Sequence, residues 1–158
     1  MQIPSALISI ALYEPEIPGN AGSVARLCAA TGSPLHLIGR LGFSLQHPKA
    51  KRAVMDYWAD VEMHRHLNYD EFAAGTAARR VWAFSTRAER LHWDADFSAG
   101  DVLLFGPESR GLPESLLVSS GVQALRLPML STARSLNLST SVSAALYEAL
   151  RQLRWAPA

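Results

Sequence analysis

Cysteine is almost absent from this chain: Cys28 is the single one in 158 residues. An intrachain disulfide is therefore impossible, and so is a redox site of the paired CxxC kind. Cys28 lies within an apolar helical pattern and reads as a small buried hydrophobe. Long hydrophobic runs are missing too; no stretch approaches the ~20 apolar residues of a membrane-spanning helix. The opening residues, MQIPSALISIAL, lack a basic start and a small-residue cleavage site. No signal peptide is expected, and the expected compartment is the cytoplasm. Charge is sparse, with 18% charged residues and a net charge of +1. That balance creates no field strong enough to declare a nucleic-acid partner, so an RNA surface has to be a local patch. Several catalytic signatures are also missing: no GxGxxG fingerprint, no GxSxG elbow and no HExxH helix.

What is present is an apolar fraction of 49%, enough for one folded domain over residues 1–158. A chain of this size buries roughly 70% of its unfolded surface. Short apolar runs predict strands at 6–12, 35–38, 61–66, 81–85, 102–105 and 122–127. A first helix should start at Asn20 as N-cap, carry Val24, Leu27 and Cys28 on one face, and stop at Thr31-Gly32-Ser33-Pro34. Further helices are expected at 50–57, 68–78, 114–118 and 139–153, the last one amphipathic. Asp70 and Glu71 fall in the first turn of theirs, where negative charge suits the helix dipole. Strands alternating with helices predict an α/β fold: a mostly parallel sheet with helices on both faces.

Two loops hold more polar and backbone-rich chemistry than a connector needs. Residues 105–113 read FGPESRGLP, and residues 127–139 read LPMLSTARSLNLS. Each follows a predicted buried strand, which is where α/β proteins build ligand sites. Gly106 and Gly111 have the spacing of a phosphate loop, but Leu112 and Pro113 stand where such a loop needs Lys and Ser/Thr. What remains is a tight turn that lets a ligand approach bare backbone, or a plain connector with Glu108 and Arg110 solvated. In the second loop Asn137 or Ser139 is expected to cap the last helix, which accounts for only part of the run. A third loop, residues 17–22, precedes Arg26; its plain reading is the Asn20 cap and a solvated arginine. His64 and His66 share one face of a strand, while His36, His47 and His92 are scattered, so no metal site is expected. Lys49, Lys51, Arg52, Arg79, Arg80, Arg87 and Arg90 are candidate phosphate contacts, although charge clusters of this size are usually solvated surface.

The order IPxNxGxxxR (Ile17 to Arg26), then FGPESRGLP, then LPM…RSLNLS resembles the SPOUT class of knotted RNA 2′-O-ribose methyltransferases. It is most similar to the tRNA (cytidine(34)-2′-O)-methyltransferase subgroup, and Asp56-Tyr57 fits an aspartate-tyrosine pair found there. The resemblance implies a deep C-terminal trefoil knot, which general topology rules disfavour. It implies S-adenosylmethionine as cofactor, tRNA as partner with the anticodon loop as target, and a homodimer. By the same resemblance the cofactor cradle comprises Phe84, Ser85 and Thr86; Gly106, Glu108 and Gly111; and Leu127, Met129, Ser135 and Leu136. Phe84 and Leu127 would act through their main chain. Asn20, Arg26, Glu108, Ser135 and Asn137 occupy motif positions linked to catalysis. A guanidinium stays protonated at neutral pH, so Arg26 is expected to grip a phosphate beside the target ribose rather than act as a base. The alternatives are a catalytically silent RNA- or nucleotide-binding module on the same fold, and a nucleotide hydrolase that lacks its phosphate-loop lysine.

Overall fold

The structure, a computed structural model, describes residues 7–55, 58–76 and 79–157. Six strands form one sheet: β1 (Ile8–Tyr13), β2 (Leu35–Ile38), β3 (Met63–His66), β4 (Val81–Phe84), β5 (Asp101–Phe105) and β6 (Val122–Leu125). All neighbours pair parallel, in the order β3-β2-β1-β5-β4-β6. The inner strands are apolar on both faces because both faces are covered. Alternation sends Ile10, Leu12, Trp82, Phe84, Leu103 and Phe105 to one side. There they meet α1 (Pro18–Thr31) and α5 (Leu138–Gln152) through Val24, Cys28, Val142 and Leu146. Ala11, Ala83, Val102 and Leu104 face the other side, toward α3 (Tyr69–Gly75) and α4 (Glu114–Leu117). Helix α2 (Pro48–Met55) packs beside α1.

The expected α/β architecture is thus observed, with most element ends within two residues of expectation. Cys28 is 1% exposed, and burial pushes its thiol up to about 12, as an inert core residue requires. Residue 6, Asp56-Tyr57 and residues 77–78, which several expected elements reached, lie outside the described residues. One correction concerns the start of α1. The helix begins at Pro18, whose fixed φ suits the first turn, and Asn20 lies inside that turn rather than capping it. At the other end Gly32 adopts φ +69° and returns its N–H to the Cys28 carbonyl, the stop expected from Gly-Ser-Pro.

A second correction concerns the histidines. His36 lies opposite His64 in the β2–β3 register. Its ring stacks on His64 at 4.9 Å and on His66 at 5.1 Å, and its Nδ1 is 2.9 Å from His66 Nε2. Stacked rings do not converge on a point, and among the described residues no group of three His, Cys, Asp or Glu is placed to hold a metal ion. Burial, with the neighbouring histidines and Arg79, lowers the His36 pKa to about 4; burial lowers His66 as well. The unfolded chain therefore takes up protons near pH 6.5 that the folded chain refuses until about pH 4. Stability is full above pH 6.5 and falls as the pH drops toward 4. Urea unfolding at pH 7 and pH 5 is expected to show a loss from His36 of about 1–2 kcal/mol. His36→Gln should remove that part of the pH dependence; an unchanged slope would contradict it.

Candidate functional site

From β1 the chain moves outward to β2, whereas from β5 it crosses β4 to reach β6. The strand order therefore reverses between β1 and β5, and a crevice opens above their carboxyl ends, where open parallel sheets bind ligands. A cavity of about 490 Å³ lies there. Phe84, Ser85 and Thr86 line it from the end of β4, and Gly106, Glu108 and Gly111 from the loop after β5. Leu127 and Met129 enter from beyond β6, and Ser135, Leu136 and Asn137 from the last loop. Asn20 enters from the first turn of α1. The three sequence motifs thus meet around one space.

The local geometry explains why these residue types are needed. A Cβ on Gly106 would sit 2.4 Å from the Leu112 nitrogen and 2.5 Å from the Gly111 carbonyl carbon. The loop doubles back so tightly that only glycine fits. Gly111 N–H closes the turn on the Pro107 carbonyl at 2.9 Å. Below it, the Phe84 and Phe105 rings stack at 4.7 Å and, with Leu127, make an apolar wall beside exposed backbone. An apolar wall rimmed by a few polar groups suits a nucleoside-like ligand.

Two loops more than 90 residues apart are clasped reciprocally. The Glu108 carboxylate accepts from Glu16 N–H at 2.8 Å and Ile17 N–H at 3.3 Å, with Asn20 Nδ2 at 3.5 Å. Glu16 in return accepts from Ser109 N–H at 3.1 Å and Ser109 Oγ at 2.6 Å. Those two bonds hold the Glu16 carboxyl below its ordinary range. Arg110 pairs with Glu14. Glu108 therefore places negative charge at the start of α1, the position for which Asn20 was expected to serve. Asn137 caps α5, accepting from Ser139 N–H at 3.0 Å and Thr140 N–H at 3.3 Å, and its Nδ2 donates to Asn20 Oδ1 at 3.1 Å. Glu108, Asn20 and Asn137 form one chain of contacts joining both helix starts to the glycine loop. Asn137→Ala removes a cap and this link together. Its unfolding free energy in urea is expected to drop by about 1–2 kcal/mol; a change below a few tenths would leave the link without weight.

Arg26 stands apart. It is exposed on α1 and lines a separate shallow hollow with Ala29, Ala30 and Asp60. Sequence reasoning missed Glu14, Glu16 and Ser109; two acids flanking Pro15 directly after a buried strand were the available signal. It also missed Arg126, which lines the cavity and whose buried Nε has no hydrogen-bond partner among the described residues. Among the described residues no helix is long and apolar enough to cross a membrane.

Comparison with known proteins places this geometry among relatives. The SpoU rRNA methylase family matches residues 7–147. A tRNA (cytidine(34)-2′-O)-methyltransferase of Aeromonas hydrophila is 46% identical over 151 residues, covering 95% of this chain and 97% of its own. A solved structure described as giving insight into 2-OH methylation of C/U34 on tRNA is 51% identical with TM-score 0.88, covering 93% of this chain and 96% of its own. An AdoMet-bound rRNA methyltransferase from Sinorhizobium meliloti is 28% identical with TM-score 0.83, over 97% of this chain and 59% of its own. With the match running from the first described strand into the last helix and taking in all three cavity loops, the chain belongs to the SpoU methylase family.

Proposed function

We propose that this chain is an S-adenosylmethionine-dependent RNA methyltransferase acting on a tRNA ribose 2′-oxygen, at cytidine or uridine 34 of the anticodon loop. The observation that carries this reading is the meeting of the three motif loops around one cavity. The residues fit the cofactor. Gly106 leaves backbone bare where a Cβ would not fit, Phe84, Phe105 and Leu127 provide an apolar wall, and Ser85, Thr86 and Ser135 provide polar edges. The cofactor, when bound, supplies an electrophilic methyl group on a sulfonium. The chain's own residues position and orient. Asn20, Glu108 and Asn137 spend their polar atoms on one another and on helix starts, so their contribution is to hold the loops in register. Ser135 lines the cavity from the exposed last loop and orients the incoming hydroxyl. Alignment of the reacting groups accounts for most of the acceleration in such a site.

The reading includes a homodimer. Arg26 lies outside the cavity of its own subunit, which supports a role across a two-fold interface, gripping a phosphate beside the partner's target ribose. It also includes one domain over residues 1–158, the C-terminal knot, and the cytoplasm as the compartment where tRNA is found. The test is mass spectrometry of tRNA incubated with protein and S-adenosylmethionine, beside calorimetry with the cofactor alone. A ribose methyl on nucleotide 34 is expected. Cofactor binding without that mark would point instead to a silent RNA-binding module.

A further inference from the structure

The charge of this chain is segregated in a way its net value hides. Between Ile17 and Met55 there is no Asp or Glu, while Arg26, Arg40, Lys49, Lys51 and Arg52 all fall there. All 14 acidic residues lie elsewhere, against the other ten basic ones. Pairing follows the same division. Arg80 meets Asp101 at 2.8 Å, Arg87 meets Glu114 at 3.2 Å, Arg110 meets Glu14, and Arg151 meets Glu148 at 2.8 Å. Arg79 donates to Ser9 at 3.1 Å and Arg90 to the Asp94 carbonyl at 2.9 Å. Most of the later arginines that were candidate phosphate contacts are thus occupied within the fold. Arg40, Lys49, Lys51 and Arg52 are exposed, and among the described residues none has an ion-pair partner.

This basic segment is attached to the rim of the cavity. Gly42 N–H donates to the Pro15 carbonyl at 2.9 Å, and Gly42 lies against the Glu16 backbone. Glu16 in turn holds Ser109 of the cavity loop. The connection from β2 to α2 is therefore tied, between Arg40 and Lys49, to the loops that frame the site. Unpaired cations cost little in isolation, but four of them with no acid in the intervening sequence repel one another slightly and attract polyanions.

We propose that the surface formed by the β2–α2 connection and α2, with Arg40, Lys49, Lys51 and Arg52, is a docking track for the RNA phosphate backbone flanking the methylated nucleotide. The inference rests on the function proposed above and assigns its substrate a surface. Contacts of this kind position the RNA without reading its bases. They also supply salt-dependent affinity that the near-neutral net charge conceals. The basis is charge complementarity, since a neutral or basic partner gains nothing from an unpaired cationic track.

The experiment measures binding of fluorescently labelled tRNA to the full chain by anisotropy across a series of salt concentrations, without cofactor. The triple variant Lys49→Ala, Lys51→Ala, Arg52→Ala should weaken binding at least about tenfold and lower the slope of log K against log salt by about 2–3. S-adenosylmethionine affinity should stay unchanged. Lys49→Arg with Lys51→Arg should retain the slope, which guards against a folding defect. Arg151→Ala, which removes a paired exposed cation, should leave it unchanged. An unaltered slope in the triple variant overturns the proposal. So does absence of salt-dependent RNA binding by the parent chain, or a shift of the triple variant from dimer to monomer with its slope intact. Intact RNA binding without methyl transfer would count against the proposed function and leave this surface standing.

Discussion

Gly106→Ala is expected to weaken S-adenosylmethionine binding by about 10- to 100-fold, read by calorimetry, with a far smaller change in secondary structure. The added methyl would lie 2.4 Å from one backbone atom and 2.5 Å from another, so no side-chain rotation relieves it. The backbone itself has to move, at a cost of about 1–3 kcal/mol for overpacking of this kind. The strain has few outlets. Leu112, at the far side of the clash, is 1% exposed and packed in the core. Glu108, Ser109 and Arg110 are clasped to residues 14–17. Displacement therefore falls on the cavity edge, and each ~1.4 kcal/mol of it is a factor of ten in affinity. Unchanged cofactor affinity in this variant would remove the glycine loop from the binding site.

Arg26→Ala is expected to do the opposite: cofactor affinity and melting temperature retained, methyl transfer reduced by about 30- to 150-fold. The range corresponds to losing about 2–3 kcal/mol from charge-assisted hydrogen bonds to a phosphate. Arg26 is exposed and lies outside the cavity lining, so its removal creates neither a core defect nor a gap in the cavity wall. If it serves the partner's site, mixing should reveal it. Arg26→Ala and Gly106→Ala subunits, each weak alone, would form mixed dimers in which one of two sites holds both native residues. Random reassociation then predicts recovery of about a quarter of native turnover. No recovery on mixing, with dimers verified by sedimentation, would place Arg26 in the service of its own subunit or outside the reaction.

Much of this was legible in the residues because it rests on local physics. Leu35–Ile38 is a short run, apolar but for His36, with Pro34 before and Gly39 after, and it forms a strand over those residues. Gly32 ends α1 for the reason its sequence suggested. The cavity loops were recognisable because tight turns demand glycine and proline wherever they occur. What escaped was non-local. The carboxylate at the start of α1 belongs to Glu108, 92 residues from the Glu16 amide it binds, and no window of sequence displays that exchange. His36 joined His64 and His66 only through the β2–β3 register, which alternation within one strand does not fix. The segregation of charge was present in the sequence all along, but its meaning depended on knowing which arginines the fold had already engaged.

The cavity has a consequence for how the protein comes into being. Its wall draws on residues from Ile17 to Ser141, with the final contribution arriving just after α5 begins. A nascent polypeptide that has not yet reached Ser135 possesses all six strands of the sheet and no complete pocket. The pocket is therefore closed only once the chain has been made past Ser141, after every strand of the sheet is already in hand.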